Sequence, residues 1–99
     1  MLRPGRDSGD VAGRVRRSLA EFFGYELDSW DAARPLREHP DIRYDSVTVL
    51  ECVGVMEEEF GITIDLIEDD LVHTLQSPAT IATLVARKLA DLVALEAAR

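Results

Sequence analysis

Ninety-nine residues, 46% of them hydrophobic, suffice for one small domain with a modest core and are too few for a two-lobed enzyme with a cleft between its halves. A formal charge of −8 argues against nucleic acid or anionic membrane as partners and for proteins with basic patches. One cysteine and two histidines exclude a disulfide framework and a zinc site, and with neither a signal peptide nor a long apolar run the chain is expected to be cytoplasmic.

Residues 1–9 mix Pro, Gly and charge without periodicity and are expected to form a flexible tail ahead of a domain over residues 10–95, with 96–99 as a second tail. Asp10 is placed to cap a first helix whose inward face is Val11, Val15, Leu19, Phe22 and Phe23, and Gly24 can stop it. Arg14, Arg16 and Arg17 fall on its outer face, where solvated charge is the simplest reading. A long connection follows to Tyr44, and a loop of that length must be pinned; Trp30, Leu36 and Ile42 are the candidates. A short turn is expected at residues 28–31, and His39 before Pro40 reads as an ordinary loop residue.

The second helix is the best defined. Ser46 has the oxygen an N-cap needs, Gly61 can take the left-handed conformation that ends a helix, and Val49, Leu50, Val53, Met56 and Phe60 recur at helical spacing between them. Val47, Glu51, Gly54 and Glu58 form a separate line running away from Ser46. Cys52 lies between the stripes and reads as a small packed residue.

Ile62 and Ile64 should drop into the core, and an acidic third segment should turn Leu66, Ile67, Leu71 and Leu75 inward. Its acids, Asp65, Glu68, Asp69 and Asp70, lack the alternate spacing and central glycine of a calcium loop, so no metal site is expected and a solvated edge is. Residues 45–72 hold nine acids and no Lys or Arg, which predicts mutual repulsion in the folded chain and stability that rises as pH falls from 7. Ser77-Pro78 opens a last helix with Ile81, Leu84, Val85, Leu89, Leu92 and Val93 on one face. The expected fold is all-α, a small bundle of three main helices plus a short third one.

At Asp45-Ser46-Val47, Glu51 and Glu57-Glu58-Glu59-Phe60 the chain resembles the acyl carrier proteins, and more loosely so over residues 11–92. The resemblance implies their helical fold, with 4′-phosphopantetheine esterified to Ser46 to hold acyl groups as thioesters, and Asp45 helping during attachment. It implies a phosphopantetheinyl transferase, a ketosynthase, an acyltransferase or other acyl-handling enzymes as partners, docking along Val47, Glu51, Gly54 and Glu58. Asp7-Ser8 and Asp28-Ser29 share the dipeptide without the helix behind it. Arg43-Tyr44 and Gly54 depart from the common family pattern and tilt the expectation to polyketide or other specialised biosynthesis over fatty-acid synthesis, in a free-standing monomer that is not itself an enzyme. Nucleophilic catalysis by Ser46 has no support, since no Gly-x-Ser-x-Gly elbow or histidine constellation accompanies it. Two alternatives stay open: an aminoacyl or peptidyl carrier, and an acidic helical interaction module that is never modified.

Overall fold

The computed structural model describes residues 6–67 and 69–97, with side chains from Val11 onward. Four helices are present among them, α1 (Arg6–Phe23), α2 (Ser46–Phe60), α3 (Leu71–Thr74) and α4 (Pro78–Ala97), with a 3-10 turn at Leu36–Glu38 between α1 and α2. This is the expected small helical bundle, in which α1 packs against both α2 and α4 and α3 lies on α4. The flexible tail expected over residues 1–9 needs correction, because α1 is already helical at Arg6 and Asp10 is not its cap. Residues 1–5 of that tail, Glu68, and residues 98–99 of the C-terminal tail lie outside the described residues.

Helix α1 buries Val11, Val15 and Leu19, spaced four apart, and ends where Gly24 takes a φ of 79°. The core continues through Val53, Met56 and Phe60 of α2, Ile62 and Ile64 just beyond it, Leu75, and Ile81, Leu84 and Val85 of α4. Full burial of one such side chain stabilises by about 1.5–3 kcal/mol. Several residues assigned inward point out instead. Leu50 of α2 and Leu92 and Val93 of α4 are exposed because helical spacing fixes a shared face and not whether anything covers it, and Leu66 and Ile67 are exposed because they sit in a turn outside any helix. Cys52 is fully buried, as its reading as a packed residue required.

The connection from α1 to α2 is stitched down at both ends. Leu27, Leu36 and Ile42 are buried, with Trp30 half-buried beside them. Arg16 reaches from α1 to donate to the carbonyl oxygens of Leu27 and Trp30, so it is a structural tie and not solvated charge. Arg14 pairs with Glu59 at 3.2 Å and stacks over Phe60, which leaves only Arg17 of the three as the expected solvated residue. The N–H of Leu36 donates to Gln76 and that of Ala79 to Ala32, each at 2.8 Å, so the connection also grips the start of α4. His39 packs its ring against Trp30 and accepts from the N–H of Asp41. Helix α4 begins as read: Ser77 Oγ accepts from Thr80 N–H while Thr80 Oγ1 accepts from Ser77 N–H.

The acidic segment is tied, not loose. Asp69 is 7% exposed, bonded by Lys88 at 2.8 Å and Arg87 at 3.1 Å, and it accepts from the N–H of Asp65. Lys88, then Arg87, hold its carboxyl below the ordinary range; His73 does the same for Asp70, and the N–H of Thr48 for Asp45. Lowered native values reverse the expectation of repulsion. Their stabilisation is complete above the ordinary carboxylate value and disappears as pH falls through the lowered ones, so stability should fall with acidification. Asp69→Ala should cost about 1–2 kcal/mol at pH 7 by leaving two cations without their acceptor, and the deficit should vanish at acid pH. Urea titrations of both proteins across pH check this.

Candidate functional site

Asp45, not Ser46, caps α2. The Asp45 Oδ1 accepts from Thr48 N–H at 2.9 Å and its carbonyl accepts from Val49 N–H, while Gly61 closes the helix at a φ of 66°. The assignment of the cap to Ser46 is corrected for a simple reason: a carboxylate one residue earlier has the extended backbone and the reach to cap, which places Ser46 on the first helical position. Its hydroxyl has no hydrogen bond among the described residues and faces solvent. The N–H groups of Ser46 and Val47 likewise have no acceptor among the described residues, so this end of α2 presents free donors and a positive dipole beside an exposed hydroxyl.

Beside Ser46 lies a groove of about 390 Å³ between α2 and α3. Its walls are Val49 and Leu50 on one side and Leu71, Val72 and Leu75 on the other, which explains why Leu50 escapes the core. Tyr44 closes the base: its hydroxyl donates to the Leu75 carbonyl at 2.6 Å and its ring meets Phe23 edge-on. Burial pushes the Tyr44 phenol far above its ordinary value and the Cys52 thiol up to about 12, so neither ionises in working conditions. Arg37 and Gln76 complete the lining.

The sequence pattern behind Ser46 pointed to the serine and missed this groove. Ile42 and Tyr44 alternate in an extended stretch just before the helix, and that period of two was the available signal that Tyr44 turns inward. Nothing in the sequence placed Arg37 or Gln76 near Ser46, since the bond from Leu36 to Gln76 that brings them together spans the chain.

Of the residues in the docking line, Val47 is 64% exposed and stands next to Ser46. Glu51, Gly54 and Glu58 lie further along, bordering a shallow groove between α1 and α2 with Phe22 and Val55 in its floor. All four are exposed, so they share a surface, although Val47 belongs to the serine end and the other three to the α1 side. A Cβ at Gly54 would meet nothing within 4 Å, so packing within the chain does not require glycine there. Gly54→Ala should therefore raise stability by about 0.5–1 kcal/mol through helix propensity, seen as a higher midpoint in thermal melts.

No protein-family model matches the chain, and no solved structure matches it. No described helix is long and apolar enough to cross a membrane.

Proposed function

We propose that this protein is an acyl carrier that holds acyl groups as thioesters on 4′-phosphopantetheine attached to Ser46, working in the cytoplasm for polyketide or related specialised biosynthesis. The observation that carries the reading is an exposed serine hydroxyl on the first turn of α2, opening onto an apolar groove. When attached, the arm supplies the thiol that takes the cargo.

Each neighbouring residue fits attachment. Ser46 Oγ attacks a phosphorus of the coenzyme A pyrophosphate: an Oγ–P bond forms, the P–O bond to the nucleotide half breaks, and the hydroxyl proton passes to a base on the transferase. The free N–H groups of the first turn favour the resulting phosphodiester. Asp45 spends one carboxylate oxygen on its cap and keeps the other for a cation held by the transferase. The groove walls suit an alkyl chain, since each methylene withdrawn from water there gains about 0.8 kcal/mol.

Docking on the Val47, Glu51, Gly54 and Glu58 surface fits basic patches on a transferase, ketosynthase or acyltransferase. Two of its acids are free of ion pairs among the described residues: Glu51 and Glu58 have none, whereas Glu59 is held by Arg14. Incubation with a broad phosphopantetheinyl transferase and coenzyme A tests the reading by intact mass, and a chain that gains nothing is the unmodified interaction module instead. In the same assay Glu51→Lys and Glu58→Lys should slow uptake several-fold while Glu96→Lys leaves it unchanged. Equal losses from all three would mean that net charge alone is read.

A further inference from the structure

The walls of the groove beside Ser46 are apolar, and its one charged lining residue is Arg37. Arg14, Arg34, Arg87 and Lys88 are all ion-paired and Arg16 is bonded to two loop carbonyls, whereas Arg17, Arg37 and Arg43 have no such partner among the described residues, and of these three it is Arg37 that lines the groove. Arg37 has no ion pair or hydrogen bond among the described residues, and the adjacent Glu38 is already taken by Arg34. Yet Arg37 is not a stray surface charge. It stands on the 3-10 turn that buried Leu36 anchors, and the bond from Leu36 N–H to the Gln76 carbonyl fixes that turn against the far wall of the groove. The Gln76 side-chain amide also has no hydrogen bond among the described residues and lines the same groove.

An occupant that is alkyl throughout would cover part of a guanidinium and an amide and offer them nothing in return, which is unfavourable. An occupant that is alkyl past Val49, Leu50, Leu71 and Val72 and ends in a carboxylate satisfies both regions. A guanidinium matches a carboxylate bidentately, and the amide adds a donor. We propose that Arg37, with Gln76 beside it, selects a cargo that is the half-thioester of a dicarboxylic acid: one carboxyl group joined as a thioester to the arm on Ser46, the other free and held at the Arg37 end of the groove. The selectivity rests on the carrier reading of Ser46, and the test separates the two.

Ser46→Cys allows a chain to be placed at that position without any transferase, by alkylation with iodoacetamides in which the introduced thiolate displaces iodide. Cys52 stays unreacted in the folded protein because it is fully buried and its thiol is pushed up to about 12. Two N-substituents of equal length are compared, one ending in methyl and one in carboxylate, with seating in the groove read from the methyl resonances of Leu71 and Leu75. The carboxylate adduct should seat about two- to fivefold more favourably, the size of a partly screened ion pair. Arg37→Leu should reverse the order and Arg37→Lys should keep part of it. Equal seating of the two chains, or an order that Arg37→Leu leaves unchanged, overturns the proposal. So does a phosphorus resonance of the bare arm on Ser46 that shifts strongly with Arg37→Leu, since Arg37 would then hold the phosphodiester. A protein that takes up the arm but shows no carboxylate preference keeps the carrier reading and loses this one; one that shows the preference but never takes up the arm loses both, because no cargo then reaches Arg37 through Ser46.

Discussion

Ser46→Ala should melt within about 0.5 kcal/mol of the unmodified protein and take up no phosphopantetheine at all. The small stability change follows from the geometry at the start of α2, where Asp45 accepts from Thr48 N–H and the Ser46 hydroxyl makes no bond among the described residues. The total loss follows from chemistry, since no other hydroxyl among the described residues combines exposure, a capped helix start and a groove. Ser77, the other serine that precedes a long helix, is 1% exposed and engaged with Thr80. Asp45→Ala supplies the contrast: it should destabilise more than Ser46→Ala by removing the cap, while Asp45→Asn, which keeps an acceptor oxygen, should destabilise less. Chemical denaturation of the three variants orders them. An Ser46→Ala protein less stable than Asp45→Ala would return the cap to the serine.

Leu36→Ala should cost about 2–5 kcal/mol, the range for emptying a fully buried leucine site. A domain of this length has about 5–15 kcal/mol in total, so the loss is large enough to leave a fraction of the chain unfolded at 37 °C. Leu36 has 0% exposure although it belongs to a connection between helices, and its own N–H is tied to Gln76. Its removal loosens the wall of the groove as well as the core. Arg37→Ala, one residue on and exposed, should stay within about 0.5 kcal/mol, so the pair distinguishes a packing site from a surface neighbour in a urea titration. A Leu36→Ala protein as stable as Arg37→Ala would mean that the connection is not pinned as the structure has it.

The helices were legible because their signals are local. The four-residue spacing of Val11, Val15 and Leu19, the glycine at Gly61 and the Ser77-Pro78 start all act within a few residues of where they are read. Ser46 was legible as the candidate site for the same reason, through the pattern immediately behind it. What escaped were pairings between distant residues. The acids of residues 45–72 looked uncompensated because their cations, Arg14 on Glu59 and Arg87 and Lys88 on Asp69, come from other elements. Arg16 looked solvated because its acceptors are backbone carbonyls, which a sequence does not distinguish from any others. The inward assignment of Leu66 and Ile67 failed because they sit in a turn outside any helix, where a helical period carries no meaning. The cap moved by one residue because Asp and Ser are both good N-caps and only the backbone decides between neighbours.

Fragmentation mass spectrometry of the protein after incubation with a phosphopantetheinyl transferase and coenzyme A tests the central claim most directly. Trypsin finds no Lys or Arg between Arg43 and Arg87, so one peptide spans both Ser46 and Ser77 and must be fragmented to tell them apart. The carrier proposal predicts a single added arm on fragments that contain Ser46 and none on those that contain Ser77 alone. An unmodified peptide under conditions that load a known carrier, or an arm on any other hydroxyl, would contradict it.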